Sequence, residues 1–161
     1  IVWDKRKGLS DFYQLSQQLK PDEQLILIGL TDRQIRQLPP NIRGIRHTEN
    51  AEQLAEWYSM ADVYLNPTWE DNFPTTNLEA LACGTPVITY RTGGSPEAIS
   101  SETGFVVEQG DLTAFRAAID TVKSKGKSFY TGACRERAVK QFDKNTQFLE
   151  YIRLYDQLVT K

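Results

Sequence analysis

The chain has 161 residues, 40% of them hydrophobic and 25% charged, with a formal net charge of -2, which fits one soluble domain with a single sizeable core spanning residues 1–161. Near-neutral charge argues against nucleic acid as the main partner. Apolar runs of only a few residues fall far short of the roughly 20 that span a bilayer, so a cytoplasmic location is expected.

The chain opens on "IVW", read as the end of a strand, and the absence of an initiator Met suggests a piece of a longer protein. Leu9, Phe12, Leu15 and Leu19 then recur at helical spacing until Pro21. Gln24 to Leu30 is a continuous apolar run, as in a strand buried on both faces. Thr31 is a plausible N-cap for a short helix over residues 32–38, closed by Pro39 and Pro40. A weaker strand runs from Ile42 to His47, and a helix over 51–61 points Leu54, Trp57, Tyr58 and Ala61 inward. "DVYLNP" is a strand, "TPVITY" (Thr85 to Tyr90) another and "GFVV" (Gly104 to Val107) the last, with a loop and helix between the first two. Helices follow from Leu112 to about Val122, Phe129 to about Gln141, and Asn145 to the end. This alternation predicts an α/β fold, a doubly wound parallel sheet of Rossmann-like type. The Trp57, Tyr58 and Phe148, Ile152, Tyr155 stripes read as core or domain-contact surface.

Parallel sheets bind ligands beyond the carboxyl ends of their strands, which singles out Asp4 to Gly8, Thr48 to Ala51, Pro67 to Pro74 and Arg91 to Ser95. Charge is uneven across these loops. From Glu49 to Asp111 stand eleven acidic residues against one basic, Arg91, whereas residues 1–48 hold eight basic and five acidic. A phosphate ligand near the acidic middle would take its cations from the first segment, where Lys5, Arg6 and Lys7 cluster. Cys83 and Cys134, without CxxC spacing, and the single histidine, His47, indicate neither a disulfide framework nor a zinc site.

The stretch "TWEDNFPTTNLEALACGTPV" (Thr68 to Val87) carries the chemistry. Pro74 suits a first helical turn, Asp71 or Asn72 could cap it, and the free N–H groups of Thr75 to Leu78 then favour an anion. Glu79, in the second turn, could accept both hydrogen bonds of a vicinal diol such as a ribose; its structural alternative is a salt bridge or a dipole contact. Gly93 and Gly94 permit close backbone approach to a ligand.

"EDNFPTTNLEALACGTPVITYRTGGSPE" resembles the donor-site signature of family 4 retaining glycosyltransferases, and the likeness continues over nearly all the chain, in "KG", "LIG" and "LAEWYSMADVYLNP". The resemblance implies the C-terminal, donor-binding half of a GT-B fold, with an N-terminal acceptor domain missing from this chain. It implies that Glu79 holds the nucleotide ribose and that Asp71, eight positions earlier, meets donor-sugar hydroxyls. Asn72, Phe73, Pro74 and Thr75 would approach sugar and diphosphate, Lys7 would pair with the diphosphate, and His47 with Thr48 would line the base. Two departures stand: Glu70 matches the family's usual residue type where Asp71 matches its spacing, and the usual Arg falls on Ile1 or Val2, leaving Arg6 as a substitute.

The implied reaction transfers a sugar from a UDP- or GDP-linked donor, a substrate and not a cofactor, to a glycan or lipid-linked acceptor with retention. Departing diphosphate would be stabilised by Lys7, Arg6 and the helix start, with no metal ligand needed. The isolated domain is expected to bind donor without transfer, and membrane contact to depend on the missing half. Rival readings are a sugar-nucleotide 2-epimerase, which one histidine supports thinly, and a non-catalytic sugar-nucleotide-binding module.

Overall fold

The computed structural model describes residues 3–159. The expected opening strand falls on Ile1 and Val2, outside the described residues; Trp3 lies in no strand. Five strands follow: β1 (Leu25–Ile28), β2 (Ile42–Ile45), β3 (Tyr64–Asn66), β4 (Val87–Tyr90) and β5 (Gly104–Val107). All pairings are parallel. Among the described residues β1 pairs with β2 in one sheet and the order β3, β4, β5 forms the other. Leu65 of β3 packs against the cores of both.

Among the described residues seven α-helices alternate with or follow these strands: α1 (Leu9–Ser16), α2 (Asp32–Arg36), α3 (Ala51–Met60), α4 (Thr75–Ala82), α5 (Leu112–Lys125), α6 (Ser128–Phe142) and α7 (Lys144–Val159). Local chemistry sets their starts. Thr31 accepts from Gln34 N while the Gln34 side chain returns to the Thr31 N–H, a complete capping box. Asn50 and Asp111 cap α3 and α5 through the N–H groups of Gln53 and Ala114. α5 runs three residues beyond the expected Val122, to Lys125, because the residue that stops it is Gly126 at φ 79°. After β4 the chain makes only a 3-10 turn, Ser95–Ala98, with Pro96 in its first turn and extended backbone at Ile99.

β4 is buried along its whole length, as a strand between two helical layers must be. Tyr90 meets Phe115 of α5 edge to face at 5.3 Å on one side. α1 lies beside α5 there, while α4 packs against α3 and α6. Burying each of Val87, Ile88 and Leu81, all at 0% exposure, stabilises the fold by roughly 1.5–3 kcal/mol. α5 is also tied to the turn before β1 by a largely buried ion pair. Arg116 of α5 donates to both oxygens of Glu23, in the turn before β1, at 2.8 and 2.7 Å, and to Asp120 at 2.5 Å.

α7 buries no residue of its own. Phe148, Ile152 and Tyr155 are 62, 54 and 62% exposed, so this stripe is not core within the chain. Trp57 is half-buried and Tyr58 buried, as the periodicity predicts. No helix among the described residues is long and apolar enough to cross a membrane.

Candidate active site

Three strand-end loops meet at one place because their backbones are stitched together. Asp4 caps a short 3-10 turn, Lys5–Lys7, accepting from the N–H groups of Arg6 and Lys7. The carbonyl of Arg6 then accepts from Trp69 N at 2.7 Å and from the Thr68 hydroxyl at 3.1 Å. Thr92 closes the third side, donating its hydroxyl to Thr68 O at 3.0 Å, and Gly94 N donates to Asn72 O at 2.8 Å. Gly93, at φ 46°, lies so close to the Asp71 carbonyl that a Cβ would overlap it, and a Cβ on Gly94 would strike Asn72 O. The glycine pair therefore serves loop-on-loop packing: its close approach is to the Asp71–Asn72 backbone, where the sequence suggested approach to a ligand.

Within this junction Lys7 Nζ pairs with Asp71 Oδ2 at 2.5 Å, their side chains 35% and 17% exposed. The other Asp71 oxygen accepts from Phe73 N at 3.2 Å. Asp71 is thus drawn to Lys7 and to its own loop, and neither it nor Asn72 caps α4: the cap residue is Pro74, without any side-chain hydrogen bond. Asn77 N bonds Pro74 O at 3.0 Å, so the anion-seeking donors at this helix start are those of Thr75 and Thr76 rather than four in a row. Glu70 is exposed. Geometry thus selects Asp71 as the carboxylate that faces Lys7.

Glu79 is half-buried, one turn into α4. Among the described residues no lysine or arginine neutralises it. Its partner is neutral: the Tyr58 hydroxyl, from α3, donates to Oε2 at 3.0 Å. Tyr64 stands edge-on to Tyr58 at 5.3 Å. Burial pushes the Tyr64 hydroxyl up to about 12, offset in part by Thr76 and Tyr58, while the Glu79 and Asp71 carboxylates both add to the rise.

Other predicted residues are placed less centrally. Arg6 is turned outward, its side chain 61% exposed and donating from Nε and Nη2 to Asp4 Oδ2 at 3.2 and 3.0 Å. Phe73 leans on Phe142 at 6.1 Å. Thr75 and His47 are exposed and Thr48 half-buried, and no hydrogen bond or ion pair among the described residues ties His47 or Thr48 to the junction. Sequence reasoning passed over three supports. Tyr58 read as core; Trp69, whose indole donates to buried Asp11 at 2.5 Å, was untyped; and Asn77, fully buried, links Asn66 at 2.8 Å to Ser95 O at 3.4 Å. A polar residue on the inward side of a short amphipathic helix was the available signal for Asn77. No group of three or more His, Cys, Asp or Glu side chains among the described residues is placed to hold a metal.

Parallel strands with helices on the sheet, and a lysine-carboxylate pair at an uncapped helix start beyond the strand ends, define a Rossmann-like α/β domain with a ligand site at the carboxyl edge of its sheet. Sucrose-phosphate synthase (tll1590) from Thermosynechococcus elongatus superposes with a TM-score of 0.83 at 29% identity, over 98% of this chain and 43% of that one. Anabaena Alr3699/HepE, solved in complex with UDP-glucose, shares the fold with a TM-score of 0.79 at 18% identity, over 96% of this chain and 46% of its own. Residues 1–124 match the family described as Glycosyl transferases group 1, and the chain belongs to that family. A D-inositol 3-phosphate glycosyltransferase of Mycobacterium sp. (strain KMS) is 32% identical over 112 residues, 69% of this chain and 24% of the relative. One from Geodermatophilus obscurus is 32% identical over 123 residues, 76% of this chain and 25% of its own. The chain thus spans about a quarter or less of the curated relatives it matches and under half of these solved chains.

Proposed function

We propose that the chain is the donor-binding part of a retaining glycosyltransferase, which moves a sugar from a UDP- or GDP-linked donor to a glycan or lipid-linked acceptor held by an N-terminal domain. The observation that carries it is the Lys7–Asp71 pair beside the uncapped start of α4, with Glu79 un-neutralised one turn further on. An ammonium and two open N–H groups suit a diphosphate, and their fixed positive ends stabilise the charge that grows as the sugar departs. Glu79 takes the ribose diol and Asp71 the donor-sugar hydroxyls. The loop from Asn72 to Thr75 lies along sugar and diphosphate, with Gly93 and Gly94 holding it in place, and His47 and Thr48 edge the base. Arg6 would have to leave Asp4 to reach the diphosphate. The UDP and UDP-glucose complexes of the Anabaena fold relative support a nucleotide-sugar donor.

Amide shifts followed by NMR as the chain is titrated with UDP, GDP, ADP and their sugars test the reading, alongside a Glu79→Ala variant. One nucleotide should bind, and the variant should lose about 1.5–3 kcal/mol, the worth of hydrogen bonds to a charged group. A folded chain that binds none of them at millimolar concentration sinks the proposal. With the full-length protein, nucleoside diphosphate released only in the presence of acceptor marks a transferase, and epimerised sugar nucleotide an epimerase.

A further inference from the structure

The carboxylate of Glu79 is already half occupied. Tyr58 Oη donates to Glu79 Oε2 at 3.0 Å, and the tyrosine making that bond is held at both ends. Its side chain is buried, its ring set against Tyr64. Its backbone carbonyl accepts from the fully buried Thr85 hydroxyl at 2.6 Å and from Lys127 Nζ at 3.4 Å. α3, which carries Tyr58, packs directly on α4, which carries Glu79. The phenol therefore stands at a fixed point relative to the second turn of α4, and Glu79 is held to it.

We infer that Tyr58 is a positioning residue for the donor ribose: its hydroxyl holds Glu79 in one rotamer and takes one lone pair of Oε2, leaving Oε1 and the rest of Oε2 for the ribose hydroxyls. This rests on the assignment of Glu79 to the ribose under the proposed function. Two physical points carry it. A glutamate fixed before the ligand arrives does not lose its rotamer freedom on binding, so more of each new hydrogen bond appears as affinity. A neutral phenol also orients the carboxylate without cancelling its charge, as a lysine or arginine would, so Glu79 remains a strong acceptor. Burial and the neighbouring Glu79 and Tyr64 drive the Tyr58 hydroxyl far above the ordinary phenol range, so it stays a proton donor wherever an enzyme works.

The test compares ribonucleotide with 2′,3′-dideoxynucleotide, UDP and GDP each against its dideoxy analogue, for the unmodified chain, Tyr58→Phe and Glu79→Ala. Tyr58→Phe should weaken the ribonucleotide by about three- to tenfold, up to one hydrogen bond's worth, and leave the dideoxy analogue unchanged. Glu79→Ala should abolish the preference for ribose. If Tyr58→Phe weakens both nucleotides equally, or neither, Tyr58 only packs and the inference is overturned. If Glu79→Ala keeps the ribose preference, the ribose assignment itself falls; if the unmodified chain binds neither UDP nor GDP, the donor site falls with it. Should Tyr58→Phe fail to fold, the unmodified chain labelled with 13C at tyrosine Cζ decides the matter. The Tyr58 resonance should move with the ribonucleotide and stay still with the dideoxy analogue, and equal shifts, or none, refute the positioning role.

Discussion

Lys7 and Asp71 stand 64 residues apart in the chain and 2.5 Å apart in the fold. Each occupies the other's charge before any ligand arrives, so a diphosphate must compete with Asp71 for the ammonium. Asp71→Asn should therefore hold UDP or GDP as tightly as the unmodified chain or more so, while losing preference for the sugar-linked form over the free diphosphate. Lys7→Ala should weaken the diphosphate by about 1.5–3 kcal/mol. Because the pair is partly solvated, neither change should cost more than about 1 kcal/mol of folding stability. Isothermal titration and urea melts separate the two effects, and a large loss of stability without loss of affinity would make the pair structural.

Gly93 combines φ 46° with a hydrogen atom pressed toward the Asp71 carbonyl. Gly93→Ala should destabilise the chain by about 1–3 kcal/mol, since a side chain strains this backbone and must also push the loop away. Nucleotide affinity should fall with it, because the displaced loop is the one bearing Asp71. Urea denaturation and a UDP titration on the same sample check both; an alanine tolerated within a few tenths of a kcal/mol would refute the packing role.

Glu23 ties the turn before β1 to α5 through Arg116, whose hydrogen bonds hold the Glu23 carboxyl down to about 2 from an ordinary 4.5. A carboxylate depressed in the folded state adds stability above its unfolded pKa and loses it as the pH falls through the folded one. The stability contributed is about 3 kcal/mol, fading between roughly pH 4.5 and 2. Arg116→Ala should cost about 1–3 kcal/mol at pH 7, where Glu23 keeps only Lys123 Nζ at 3.2 Å and the Lys20 N–H at 2.9 Å, and much less at pH 2. Urea midpoints at pH 7, 4.5 and 2 measure the slope, and a pH-independent loss would count against the ion pair.

Trp69 donates its indole N–H to Asp11, which is 3% exposed and whose carboxyl burial pushes upward while this bond pulls it back. Trp69→Phe should cost about 1–3 kcal/mol at pH 7, where the buried charge is left without its donor, and less at pH 3, where Asp11 is protonated. Since Trp69 also lies in the loop bearing Asp71, its fluorescence should change on nucleotide binding. Thermal melts at the two pH values and a fluorescence titration test these outcomes.

By itself the sequence determined the alternation of strands and helices, because a strand inside a sheet leaves a continuous apolar run such as Leu25 to Ile28, here buried on one face and half-buried on the other, and burial on one face of a helix leaves stripes such as Phe12 and Leu15. It also marked the loops at the strand ends and the acids within them, because Pro74, Gly93 and Gly94 are local backbone signals and the signature is contiguous. Tertiary structure alone decided which groups meet. That Asp71 rather than Glu70 faces Lys7, that Glu79 is held by a tyrosine 21 residues earlier instead of a cation, and that the glycines serve a neighbouring loop all depend on long-range contacts. Periodicity tells which side of an element faces inward, but the partner it finds there is fixed by how α3 settles on α4 and how three loops share one set of carbonyls.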